Sequence, residues 1–212
     1  DQPMFTGIVT DVGTIRKIEH RGDTRFEIAT AYDLETVEIG ASICCSGVCL
    51  TAVEKSRNTF VVDVSAETLS RSTLGSWRQG SRVNLERSLS MGDELGGHLV
   101  SGHVDAVGKV IAWENDGDSV RFTFHAPAEI AAFIAEKGSI AIDGVSLTVN
   151  AVEDDPDGCR FGINVIPHTQ EVTTFGDLKV GDPVNLEIDT LARHMQRMLT
   201  SRHGVAHDGE CC

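Results

Sequence analysis

Residues 64–86, VSAETLSRSTLGSWRQGSRVNLE, lie without gaps on residues 165–187, VIPHTQEVTTFGDLKVGDPVNLE. Nine of these twenty-three positions are identical, where average composition predicts about one or two. The match extends upstream. Ser46-Gly47-Val48-Cys49-Leu50-Thr51 aligns with Asp143-Gly144-Val145-Ser146-Leu147-Thr148, and Gly7 and Gly13 align with Gly102 and Gly108. The chain is therefore two copies of one module of about 95 residues, each large enough to be a small domain. The separation drifts from 95 to 97 to 101 residues along the alignment, so the second copy carries small loop insertions, one of them at Glu153-Asp154-Asp155-Pro156-Asp157-Gly158. The spacing predicts a first domain over 4–97, a second over 98–189, a helix over 190–203 and a disordered polar tail over 204–212. Asp1-Gln2-Pro3 carries no pattern, and Met4 reads as the natural start.

Within each copy the apolar residues alternate, as Phe60, Val62 and Val64 do in the first and Phe161, Ile163 and Val165 in the second. Ile43 and Cys45 share one parity and Val48 and Leu50 the other. Ile140 and Ile142 change to Val145 and Leu147 in the same way, so a turn or bulge is expected at each intervening Gly. If Val145, Leu147 and Val149 fill a core, Ser146 and Thr148 point outward, as do Cys49 and Thr51 in the first copy. A helix is predicted over 127–137, with Pro127 at its start and Gly138 just past its end. Short strands, Gly turns and few helices predict an all-β chain of two closed barrels, a closure that removes exposed sheet edges. The helix over 190–203 takes Asp189 as N-cap and Gly204 as stop, with an apolar stripe at Leu191, Met195, Met198 and Leu199.

Composition narrows the function. Eighteen basic against 32 acidic residues leave a net charge of −14, which argues against nucleic acid, because phosphate neutralisation needs a basic face. No apolar run approaches the roughly 20 residues that cross a bilayer, so a soluble, cytoplasmic protein is expected. The cysteines at 44, 45 and 49 lack the paired spacing of a zinc site, and all six are read as mostly reduced. His98 and His103 are five apart in Gly-Gly-His-Leu-Val-Ser-Gly-His, an odd separation that sends them to opposite faces of an extended strand and disfavours a shared metal. Ser146, His103 and Asp143 have the residue types of a hydrolase triad but lack the nucleophile elbow around the serine. Where the first copy has Ile8, Ser46 and Cys49, the second has His103, Asp143 and Ser146. Two similar but unequal pockets suit a reaction between two like molecules that play different parts.

Met4-Phe5-Thr6-Gly7-Ile8-Val9, Asp93-Glu94-Leu95-Gly96-Gly97-His98-Leu99-Val100-Ser101-Gly102-His103-Val104-Asp105, Asp143-Gly144-Val145-Ser146-Leu147-Thr148 and the Thr-x4-Thr-x-Gly segment in each copy resemble the riboflavin synthase family. The resemblance runs from Met4 to about His203. It implies six-stranded Greek-key barrels, a homotrimer joined through the C-terminal helix, and one molecule of 6,7-dimethyl-8-ribityllumazine per barrel. It implies an active site between the first barrel of one subunit and the second barrel of a neighbour, where a four-carbon unit passes from a donor lumazine to an acceptor lumazine to give riboflavin, with no cofactor and no metal.

Carried over by position, the first pocket comprises Phe5, Thr6, Gly7, Ile8 and Val9, Ser42, Cys49, Leu50 and Thr51, then Asp63, Val64, Ser65, Ala66, Glu67 and Thr68. The second comprises Gly102, His103 and Val104, Ser146, Leu147 and Thr148, then Ile166, Pro167, His168, Thr169, Gln170 and Glu171, with Lys137 reaching a neighbour's ligand. The resemblance makes Cys49, His103, Asp143, Ser146 and Thr148 the catalytic candidates. Ser146, His103 and Asp143 are set around the acceptor and Cys49 around the donor, with the reverse assignment left open. The family's usual Pro-Glu-Thr is Pro167-His168-Thr169 here, so an imidazole stands where a carboxylate is usual. A non-catalytic lumazine- or flavin-binding protein on the same fold is the alternative reading.

Overall fold

The structure, a computed structural model, describes residues 3–201. The first copy contributes β1 (Asp11–Arg21), β2 (Asp23–Ala29), β3 (Ser42–Cys45), β4 (Val48–Lys55), β5 (Thr59–Val64) and β6 (Arg82–Arg87). The second contributes β7 (Ala106–Asp116), β8 (Ser119–Pro127), β9 (Ser139–Ile142), β10 (Val145–Asp155), β11 (Gly158–Val165) and β12 (Pro183–Ile188). Each set closes into an antiparallel barrel, in the order β1-β2-β5-β4-β3-β6 and, equivalently, β7-β8-β11-β10-β9-β12. Closure pairs every strand on both sides, so neither barrel offers an open edge.

Alternation decides what fills each barrel. Phe60, Val62 and Val64 are buried with Phe26, Ile28 and Leu85, while Phe161, Ile163 and Val165 are buried with Phe122, Phe124 and Leu186. The expected change of register is a two-residue hairpin turn in each copy, since Cys45 pairs with Val48 and Ile142 with Val145. Both turn residues have positive φ (Ser46 46° and Gly47 86°; Asp143 46° and Gly144 78°), the type I′ geometry that matches strand twist. The outward parity holds as well. Val48, Leu50 and Ala52 are buried, whereas Cys49 is half-buried and Thr51 exposed.

The helix expected over 127–137 is only α2 (Ala128–Ala131), which follows α1 (Ala66–Arg71) in chain order. Its last turns tighten, with Phe133 N–H donating to Ile130 O and Ile134 N–H to Ala131 O. Lys137 then takes φ 63° so that its N–H reaches Val149 O at 2.7 Å. The apolar spacing of Ile130 and Ile134 reflects burial against the barrel, and it does not require a continuous helix. Two further helices are α3 (Pro167–Val172) and α4 (Thr190–Ser201). The expected helix end at His203, the stop at Gly204 and the tail over 204–212 lie outside the described residues.

The barrels meet through reciprocal hydrogen bonds. Asn84 donates from Nδ2 to Asp143 O at 3.0 Å, and its counterpart Asn185 donates to Ser46 O at 2.8 Å. Their amide oxygens accept from Thr174 N and Thr73 N, both at 2.8 Å. Phe5 and Val100 form a backbone bridge beside Cys44 and Ala141, a small core between the two barrels.

Candidate active site

The segments that lead into the barrels are exchanged. Gly7 precedes the first barrel, yet its carbonyl accepts from Ser146 N of the second at 2.8 Å. Gly102 precedes the second barrel, yet its carbonyl accepts from Cys49 N of the first at 2.8 Å. The contacts are close enough to require glycine. A Cβ on Gly7 would lie 2.6 Å from Ser146 Cβ, one on Gly102 would lie 2.5 Å from Cys49 Cβ, and both residues have positive φ.

Two buried carboxylates hold these segments. Glu86, at the end of β6, accepts from Thr6 N at 2.7 Å, Thr6 Oγ1 at 2.7 Å and Gly7 N at 2.9 Å. Glu187, its counterpart on β12, accepts from Ser101 N at 2.6 Å, Ser101 Oγ at 2.8 Å, Gly102 N at 2.9 Å and His103 N at 3.2 Å. Burial pushes both carboxyls up, and these donors offset only part of the rise. Neither Glu86 nor Glu187 was among the sequence candidates, although Val-Asn-Leu-Glu is identical in the two copies.

The exchange regroups the predicted residues. Cys49, Glu67, Thr68, Gly102, His103 and Val104 line one cleft of about 350 Å3, joined by Arg71. His103 and Val104 thus belong with Cys49 rather than with Ser146, and Gly7 belongs with Ser146 rather than with Cys49. The alignment could match each leader only to its counterpart, and the backbone crosses over. Ser65 caps α1, its hydroxyl accepting from Thr68 N at 3.2 Å, whereas α3 starts on Pro167 after Ile166. On these helices Glu67 and Arg71 stand where the second copy has His168 and Val172.

On the second barrel, Ser146 Oγ lies 2.7 Å from His98 Nδ1. His98 Nε2 is buried with no hydrogen-bond partner among the described residues, and burial pushes the imidazole below its ordinary pKa. In the tautomer with the proton on Nε2, Nδ1 accepts the serine hydroxyl. His98 was set aside in sequence as half of an improbable metal pair, and no counterpart in the first copy marked it.

Three further predicted site residues are largely enclosed by protein. Asp143 sits in the turn at the seam between barrels, where Oδ1 accepts from Asn185 N at 2.8 Å, and burial pushes its carboxyl up to about 7. Phe5 is wholly buried between the barrels, so its ring presents no face to a ligand. Thr6 is buried with its hydroxyl engaged by Glu86. Burial raises the Cys49 pKa, so at neutral pH this residue is a thiol and not a ready thiolate nucleophile.

A cleft closed by an exchanged loop, on two paired barrels of like topology, defines a class of small-molecule-binding tandem-barrel proteins. The family model for the lumazine binding domain matches residues 6–88 and again 101–189. A riboflavin synthase of Brucella abortus (strain 2308) is 51% identical, covering 92% of this chain and 98% of the relative. One from Photobacterium phosphoreum is 44% identical, covering 92% and 89%. Among solved structures, LumP complexed with 6,7-dimethyl-8-(1'-D-ribityl) lumazine matches with a TM-score of 0.76 at 27% identity, covering 87% of this chain and 98% of that one. The chain belongs to the riboflavin synthase family, whose members are enzymes of riboflavin biosynthesis.

The exchanged loops make a testable division. Gly102→Ala is expected to weaken ligand binding at the Cys49 cleft by tenfold or more, and Gly7→Ala to weaken it around Ser146. Left-handed backbone costs a non-glycine residue about 1–2 kcal/mol before any clash is counted. Ligand titration should show loss confined to the Cys49 side in Gly102→Ala and to the Ser146 side in Gly7→Ala. Loss at the opposite pocket would show that the leaders are not exchanged.

Proposed function

We propose that the chain catalyses the dismutation of two 6,7-dimethyl-8-ribityllumazine molecules. A four-carbon unit passes from one to the other, giving riboflavin and 5-amino-6-(D-ribitylamino)uracil. The two substrates and two products contain the same atoms, so the reaction consumes no oxidant, water or cofactor. The observation that carries this reading is the inequality of equivalent positions on the two barrels, Ser146 hydrogen-bonded to His98 on one and Cys49 in a cleft with His103 on the other. Bond formation begins with loss of an acidic proton from the C7 methyl of one lumazine. Ser146 Oγ is suited to take that proton and pass its own to His98 Nδ1, which burial keeps neutral and therefore able to accept. The other lumazine lies against Cys49, whose thiol serves as a neutral contact. Two carbon–carbon bonds form as the donor's two carbon–nitrogen bonds break, and holding the rings face to face supplies much of the rate.

Ser146 and Cys49 sit on different barrels of one chain, and the reacting pair is read as meeting across a subunit boundary, in a homotrimer assembled through α4. Leu191, Met195, Met198 and Leu199 are all more than half exposed on that helix. Truncation after Asp189 is accordingly expected to abolish assembly by light scattering and to lower turnover at least tenfold. An intact trimer after truncation would assign assembly to other surfaces. The free thiols of Cys44, Cys45, Cys49 and Cys159 suit a reducing cytoplasm.

The match to LumP favours one second reading, a lumazine-binding protein without turnover. Incubating the purified chain with lumazine alone separates the two. The enzyme yields riboflavin fluorescence and one pyrimidine product per riboflavin, whereas a binding protein holds lumazine and yields neither.

A further inference from the structure

Comparing the copies exposes a difference that the pockets do not explain. Thr10 and Asp105 are counterparts, each following its leader loop by the same interval. Thr10 N donates to Leu85 O at 2.9 Å, and Asp105 N donates to the equivalent Leu186 O at 2.8 Å. Their side chains then diverge. The Thr10 hydroxyl stays within its own barrel, on Tyr32. The Asp105 carboxylate accepts from Ile188 N at 2.9 Å, and Arg193 Nη2 of α4 lies 2.7 and 2.9 Å from its two oxygens. Only the second copy is followed by a helix, and only the second copy has an acid here.

This ion pair stands at one end of a loop whose other end is held by Glu187. Between the two carboxylates lie Gly102, His103 and Val104, which line the Cys49 cleft of the other barrel. The Asp105 side chain is 11% exposed and that of Arg193 44%, so the pair is partly shielded and worth more than a fully solvated contact. We propose that Arg193 is a positioning residue for the Cys49 pocket, and that its clamp on Asp105 makes the geometry of residues 102–104 depend on α4 being seated. The helix that carries the exposed apolar stripe would then also tune a binding site in the opposite barrel. Ligand in that site would in turn favour the seated helix, since coupling between sites is reciprocal. The inference rests on reading the Cys49 cleft as a lumazine site, but the loop's dependence on the clamp can be measured without any ligand.

The test compares Arg193→Gln and Arg193→Lys with the unchanged full-length chain. Amide hydrogen exchange of Gly102 and His103, both donors to Glu187, is expected to quicken at least fivefold in Arg193→Gln. Arg193→Lys, which keeps the charge, should recover part of the protection. Lumazine titration should show about five- to tenfold weaker binding at the Cys49 pocket, near the lower end of ordinary coupling, with the Ser146 pocket unchanged. KM should rise while kcat at saturation stays within twofold, and light scattering should show the oligomer unchanged. Unchanged exchange at Gly102 and His103 would overturn the proposal, as would equal losses at both pockets. Faster exchange with no lumazine binding by the unchanged protein would support the clamp and count against the lumazine reading instead.

Discussion

Ser146→Ala is expected to lower kcat by roughly two to four orders of magnitude, the usual worth of positioned acid–base catalysis. The hydroxyl lies 2.7 Å from His98 Nδ1, and Gly7 packs against the Ser146 Cβ from the exchanged leader. The alanine variant keeps the backbone bond from position 146 to Gly7 O, so the pocket should still bind substrate and KM should change little. His98→Ala should cost about as much. The double variant should be scarcely worse than either alone, because residues that act as a unit lose their effect together. Burial lowers the His98 pKa, so the neutral, proton-accepting imidazole should persist below the ordinary histidine range. The acidic limb of kcat against pH should therefore fall below about 6.5. Single-turnover rates of the two single variants and the double variant decide the matter, and multiplicative losses would assign Ser146 and His98 separate tasks.

The second large effect concerns stability and comes from Asp143. Its carboxyl is raised by burial from 3.8 to about 7, so the folded chain holds this proton more tightly than the unfolded chain does. Stability from this group is full below about pH 4 and is lost as pH rises toward 7. Asp143→Asn stays neutral throughout and retains an oxygen for Asn185 N. It should exceed the unchanged protein by on the order of 2–3 kcal/mol at pH 8 and match it near pH 4, as read by urea unfolding. Ser46 already shows that a neutral acceptor works at this turn, its hydroxyl taking Asn84 N at 3.1 Å in the first copy. A gain that is the same at both pH values would mean that burial of the charge is not its source. The prediction separates Asp143 from the Ser146–His98 chemistry, since its carboxylate answers to the seam between the barrels.

How much of this was legible in advance follows from where each interaction acts along the chain. The alternation of Phe60, Val62 and Val64, and of their counterparts, is a local signal, because successive strand residues face opposite sides wherever the strand is placed. The parity switch across Asp143-Gly144 is equally local, since two adjacent residues with positive φ close a hairpin by themselves. From these the barrels and the outward set of Cys49, Thr51, Ser146 and Thr148 could be read directly, and the match of residues 64–86 to 165–187 gave their duplication.

The grouping of those residues into pockets could not be read in that way. Gly7 and Gly102 occupy equivalent places in equivalent sequences, and nothing local says whether each serves its own barrel or the other. That choice is made by Glu86 and Glu187, which hold loops some 80 and 86 residues away, and by the bridge from Phe5 to Val100. His98 became visible only when the exchange set its ring against Ser146 from 48 residues away. Burial pattern and turn chemistry are properties of neighbouring residues, so the sequence by itself determined two barrels and the faces they expose. Which loop closes which pocket depends on carboxylates and backbone donors far apart along the chain, and only the tertiary structure decided it.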